Sequence, residues 1–188
     1  MTTAYKFLNV KDHHVISEQM FAFVRDHSGL LILDPQFWTD LDVKAVLDHV
    51  PALKKLLKRN SLSPQQIAVI IVDPDPDAII HTDTLEPYVR ILWPVKNCAG
   101  SETKFYNLKK SQGRLIGAEY EGWYISYPAG GDVIDQFELT GPIVLDTSIP
   151  HSIHPDKILD DIRISFTIAF DPTLAISKSV NAWFDFAH

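Results

Sequence analysis

Gln66-Ile67-Ala68-Val69-Ile70-Ile71-Val72, followed by Asp73-Pro74-Asp75-Pro76-Asp77, is the stretch on which the fold turns. Its β-branched run has the composition of a buried strand, and the alternating Asp and Pro that bound it form a turn. Further strand candidates follow at Ala78–Asp83, Val89–Val95, Glu102–Asn107, Arg114–Glu119, Gly122–Tyr127, Val133–Phe137, Pro142–Leu145 and Arg163–Phe170. Between them stand short Pro and Gly turn signals such as Pro128-Ala129-Gly130-Gly131 and Thr140-Gly141-Pro142. Many short strands at such spacing predict an all-β sandwich or jelly roll.

Upstream of Gln66 the texture is helical. Ser17–Val24 can place its apolar side chains on one helical face, and Asp40–Leu47 carries Leu41, Ala45 and Val46 at core-facing spacing. Pro51 breaks this second segment, and Ala52–Arg59 forms a short basic helix after it. The chain therefore reads as one domain: residues 1–65 a helical cover, 66–175 a mainly β core, and 176–188 a tail. No internal repeat or low-complexity tract interrupts it.

The 188 residues suffice for one full core. Seventeen Lys and Arg against 24 Asp and Glu leave a formal net charge of −7, and the longest basic cluster is Lys54-Lys55-Leu56-Leu57-Lys58-Arg59. Binding to nucleic-acid backbones, which needs clustered cations, is not expected. Cys98 is the only cysteine, which removes disulfide frameworks, thiolate zinc sites and iron–sulfur clusters together. Any metal must then be held by His, Asp or Glu. Met1–Val10 lacks the pattern of a signal peptide and no apolar run is long enough to cross a membrane, so a cytoplasmic protein without membrane contact is expected. The sequence sets no oligomeric state.

Three segments carry chemistry. In Ile79-Ile80-His81-Thr82-Asp83, extended chain puts His81 and Asp83 on one face, and an imidazole beside a carboxylate suits a divalent first-row metal. The alternative use of Asp83 is to cap Thr84-Leu85-Glu86. In Pro150-His151-Ser152-Ile153-His154, the two histidines are an odd number of positions apart and face opposite ways. One is a candidate ligand and the other a supporting or solvent-facing residue.

The third segment, Arg163-Ile164-Ser165-Phe166-Thr167-Ile168-Ala169-Phe170, alternates polar and apolar. A half-buried strand ordinarily turns its apolar side to the core and its polar side to water. A jelly roll with a polar interior inverts that, because its outer face lies under flanking helices, and the N-terminal helices supply such a cover. Arg163 then points inward, where its fork of donors can grip a carboxylate bidentately, with Ser165 adding a hydroxyl.

Taken in order, His81-x-Asp83, then His151, then Arg163-x-Ser165 resembles the Fe(II)- and 2-oxoglutarate-dependent dioxygenases, in particular small bacterial and phage members. The resemblance runs from about Ile79 to Phe170, half the chain. Arg90–Cys98 and Thr103-Lys104-Phe105-Tyr106 are similar to the strand pair that follows the metal motif there, and Pro150-His151-Ser152-Ile153 to the distal-histidine segment, which favours His151 over His154.

The resemblance implies a double-stranded β-helix, a cupin-like jelly roll, in which His81, Asp83 and His151 bind Fe(II). 2-Oxoglutarate and O2 would fill the remaining positions. Arg163 would pair with the far carboxylate of 2-oxoglutarate, Ser165 would assist, and Tyr106 or Thr103 would help to hold the co-substrate. The implied activity is hydroxylation of an unactivated carbon in a small molecule or in a peptide or protein side chain. Asp83 favours this over halogenation, since halogenating relatives lack the carboxylate. Two alternatives stand beside it: a cupin-type metal enzyme that does not use 2-oxoglutarate, and a non-catalytic jelly-roll binding module.

Overall fold

The computed structural model describes residues 4–31, 38–72, 79–82, 89–117, 123–128, 130–154 and 161–170. Among these the chain runs through β1 (Tyr5–Phe7), α1 (His13–Asp26), β2 (Trp38–Leu41), α2 (Val43–His49), α3 (Pro51–Arg59), β3 (Pro64–Val72), β4 (His81–Thr82) and β5 (Val89–Lys96). It continues through β6 (Glu102–Tyr106), β7 (Arg114–Gly117), β8 (Trp123–Ser126), β9 (Val133–Glu138), β10 (Ile143–Asp146), β11 (His151–His154) and β12 (Arg163–Phe170). Two six-stranded sheets result, a large one ordered β1-β10-β5-β12-β3-β2 and a small one ordered β7-β8-β4-β11-β6-β9, with every pairing antiparallel. Strands consecutive in sequence pass between the sheets, as β3, β4 and β5 do, and this is the double-stranded β-helix expected from the sequence.

The centre of the large sheet is β12, whose eight residues are all buried. Ile164, Phe166, Ile168 and Phe170 join an apolar cluster with Ile16, Met20, Phe23 and Val24 of α1 and Leu53 and Leu57 of α3. The opposite face, with Arg163, Ser165 and Thr167, looks across to the small sheet. The apolar side of the strand thus lies under the helices and its polar side inside the barrel. Burial of each phenylalanine on the helix side stabilises the fold by roughly 1.5–3 kcal/mol, so that side sets the orientation of the strand. Between the sheets a second cluster of Leu92, Phe105, Phe137, Leu139, Ile143 and Leu145 fills one end.

The helices follow their local signals. In α1 the buried residues Ile16, Met20, Phe23 and Val24 recur at one stripe. Asp42 accepts a hydrogen bond from the Ala45 amide at 2.7 Å and caps α2. Pro51 takes the first position of α3, where its missing N–H costs nothing, so it separates the two helices as expected.

Several elements differ from expectation. Asp40 and Leu41 belong to a strand rather than a helix: Asp42 is spent as a cap, and Trp38-Thr39-Asp40-Leu41 pairs with β3 from Ile70 to Ile67. α1 begins at His13, four residues before Ser17. β1 and β2 arise within residues 1–65 and extend the large sheet at its two edges. β11 is too short, at four residues, to announce itself by periodicity. The loop at 73–77, Asp83 and the tail at 176–188 lie outside the described residues. Among the described residues no helix is long and apolar enough to cross a membrane.

Candidate active site

His81 and His151 stand directly opposite each other on the β4–β11 ladder. Directly paired residues share a face, and the two imidazole centroids lie 4.7 Å apart. On its other side His151 pairs with Phe105 of β6, whose ring is 5.9 Å from the imidazole and stacks on Tyr5 at 6.0 Å. The histidines therefore project into the barrel interior beside an aromatic wall.

Each ring is set by its own backbone. Nδ1 of His81 lies 3.0 Å from the carbonyl of Ile79, and Nδ1 of His151 lies 2.9 Å from that of Ile149. A carbonyl only accepts, so each contact puts a proton on Nδ1, and in the neutral ring the lone pair is then on Nε2. A ring of this tautomer binds a metal through Nε2, with Nδ1–H held by a backbone carbonyl. Among the described residues no group of three or more His, Cys, Asp or Glu converges. Asp83, the expected third ligand, lies outside them.

Alternation places Ile153 on the same face as His151 and turns Ser152 and His154 outward. His154 Nε2 lies 2.7 Å from Ser152 Oγ and 3.0 Å from the Tyr106 hydroxyl, and that hydroxyl lies 2.9 Å from Ser152 Oγ. These three form a polar network on the outer face of the small sheet, next to a cluster of Ile80, Tyr106, Ile125 and Tyr127. Burial, helped by Lys104 and opposed by Glu102, holds the His154 pKa below its ordinary value.

The same alternation divides the two co-substrate candidates on β6. Thr103 pairs with Ile153 and Phe105 with His151, so both face inward, and Thr103 is buried. Tyr106 points the other way. The structure does not bring Tyr106 to the histidine pair, because Phe105 occupies that side of the strand and the Tyr106 hydroxyl is engaged by Ser152 and His154.

Arg163 lies deeper, at the first residue of β12, and is 1% exposed. Its Nε donates to Ser101 Oγ at 3.0 Å and its Nη1 to Ser165 Oγ at 3.2 Å, while Nη2 is buried without a hydrogen-bond partner among the described residues. None of the ion pairs among the described residues involves it. Burial lowers its pKa and the neighbouring Cys98 opposes that, but a guanidinium remains cationic at neutral pH. A buried cation with one unmet donor is costly alone and suits a carboxylate. Two of its three nitrogens are already held by hydroxyls, so the bidentate grip expected from the sequence narrows to the side bearing Nη2.

The two halves of the site share one interior. Ser101, Thr103 and Phe105 fall on the same face of the chain, and Ser101 meets Arg163 while Phe105 meets His151. Ser101 and Phe105 are four positions apart, about 13 Å of extended chain, and side chains shorten the gap from both ends. Ser101 was not among the residues expected from the sequence. The only signal for it is its position two residues before Thr103, which alternation makes equivalent.

No protein-family model and no curated protein matches the chain. Solved structures do. The non-heme monooxygenase ThoJ, in its apo form, superposes with a TM-score of 0.53 at 13% identity, covering 90% of this chain and 74% of that one. HygX from Streptomyces hygroscopicus, solved with nickel and 2-oxoglutarate bound, gives a TM-score of 0.52 at 12% identity, covering 92% and 84%. At these identities the likeness is one of architecture, and it gives this chain the same fold as these two structures.

Proposed function

We propose that the chain is an Fe(II)- and 2-oxoglutarate-dependent oxygenase that hydroxylates an unactivated carbon of a small molecule or of a peptide or protein side chain. The observation that carries this reading is Arg163. Its buried guanidinium, which has no carboxylate partner among the described residues, lies in the same interior as two imidazoles whose Nδ1 atoms are turned to their own backbone and whose Nε2 atoms point away from it. A metal enzyme that used no organic acid would leave this buried charge without a purpose, and a binding module would need neither feature. The fold shared with HygX, which was solved with 2-oxoglutarate and a metal, agrees with it.

The donor set fits the group. His81 and His151 would supply two imidazoles to the metal, and Asp83 is proposed as the carboxylate that would join them. When bound, the iron and the oxoacid together supply an oxidant made from O2, with release of carbon dioxide and succinate. The protein's own part is positional. Arg163 Nη2 would meet the far carboxylate of the oxoacid, the Ser165 hydroxyl would offer its proton to the same carboxylate, and Thr103 would line the wall between that point and the histidines. Tyr5, Phe105 and Phe137 keep water from one side, with ring centroids 4.4–6.0 Å apart.

Anaerobic titration of the purified protein with Fe(II) and then 2-oxoglutarate tests this. A weak visible charge-transfer band is expected only when both are present, followed by succinate release on admission of O2. Metal binding with no response to 2-oxoglutarate would contradict the reading.

A further inference from the structure

We infer that Ser101 is a positioning residue for Arg163, and that the turn carrying it exists to aim Nη2 at the far carboxylate of the co-substrate. This inference rests on the oxygenase reading above. Ser101 is 1% exposed and donates its hydroxyl proton to the Cys98 carbonyl at 2.8 Å, which fixes where its lone pairs point. One of those lone pairs receives Arg163 Nε at 3.0 Å. Since a guanidinium is planar, holding Nε and Nη1 fixes the plane, and the direction of Nη2 follows.

The turn is built around the arginine. Asn97 and Gly100 both adopt positive φ, at 51° and 81°, which reverses the chain between β5 and β6 and delivers Ser101 to the interior. Asn97 Nδ2 donates to the Ile162 carbonyl at 3.0 Å, Cys98 Sγ to the Ile164 carbonyl at 3.1 Å, and Lys96 pairs with Asp161. Four contacts thus tie residues 96–101 to residues 161–164, so that the arginine and its hydroxyl partner keep one relative position. Without the Ser101 hydroxyl the Nε proton loses its acceptor at this position, and the guanidinium is free to turn toward another.

The test compares two ligands that share a 2-oxo acid head, 2-oxoglutarate and 2-oxovalerate, of which only the first has a far carboxylate. Their dissociation constants are measured calorimetrically on the anaerobic Fe(II)-loaded protein. Ser101→Ala should weaken 2-oxoglutarate by about tenfold and leave 2-oxovalerate unchanged. Ser101→Cys, which keeps the volume but accepts hydrogen bonds poorly, should behave likewise even if the alanine variant folds poorly, and Ser101→Thr should restore most of the affinity. A variant that binds both ligands as the wild type does, or loses both equally, overturns the inference. If the wild type itself does not distinguish the two ligands, the oxygenase reading fails and the role of Ser101 fails with it.

Discussion

His81 and His151 occupy a single rung of the β4–β11 ladder, with their rings 4.7 Å apart and each Nδ1 tied to the carbonyl two residues before it. The pairing register, rather than any loop, therefore brings the imidazoles together. A slip of one residue would turn one of them to the outer face, so the placement of the two imidazoles is as rigid as the sheet.

Removing either imidazole should cost metal affinity heavily. His81→Ala and His151→Ala are each expected to weaken Fe(II) or Mn(II) binding by more than the roughly 10–100-fold lost when only a supporting partner of a ligand is removed. His154→Ala should leave it unchanged, since that ring faces outward. Anaerobic calorimetric titration measures all three, and an effect of His154→Ala as large as that of His151→Ala would contradict the assignment.

Arg163 should matter for the co-substrate and not for stability. No carboxylate among the described residues pairs with it, so Arg163→Met removes a buried charge without leaving its counter-charge behind. Relief of that buried charge offsets the loss of its hydrogen bonds to Ser101 and Ser165, each worth about 1 kcal/mol, whereas breaking a buried ion pair costs about 3–5 kcal/mol. Urea unfolding of the variant should change by less than about 1 kcal/mol, while its affinity for 2-oxoglutarate is abolished. A stability loss in the higher range would mark Arg163 as half of a structural ion pair.

Tyr106→Phe should do the reverse. Its hydroxyl meets Ser152 and His154 on the outer face, and these two already lie 2.7 Å from each other. The substitution should cost about 1 kcal/mol of stability and leave 2-oxoglutarate affinity unchanged. A marked rise in the dissociation constant would place Tyr106 in the co-substrate site after all.

His154 should give the protein a pH-dependent stability on the acid side. Its folded-state pKa lies below the ordinary 6.5, chiefly through burial and with Lys104 adding to it. As pH falls the unfolded chain takes up this proton first. The contribution of His154 is therefore complete above its unfolded pKa and is lost as pH drops through the folded value. Thermal midpoints measured from neutral to mildly acidic pH should fall less steeply in His154→Asn than in the wild type, and equal slopes would refute the expectation.

Much of this was written locally. The run Ile67–Val72 and the alternation of Arg163–Phe170 were sufficient for a jelly roll with a polar interior, because strand periodicity is a property of the backbone and needs no partner to be recognised. Alternation also separated His151 from His154, whereas Thr103 and Tyr106 stood as equal candidates until the rung shared by Phe105 and His151 set them on opposite faces. What alternation cannot say is which face is inside. On β12 that was decided by the helices, which cover Ile164, Phe166 and Ile168 and leave Arg163 to the interior.

The contacts between distant segments belong to the tertiary structure alone. No pattern in the chain announces that Ser101 would meet Arg163 across 62 residues, or that His81 would meet His151 across 70. Short strands such as β4 and β11 acquire their identity only from the ladder they join, since two and four residues cannot hold an extended conformation by propensity. The sequence by itself thus determined the class of fold and the kinds of side chain at the site. Sheet register decided which of those side chains converge, because hydrogen bonding between strands sets neighbours that no local preference can choose.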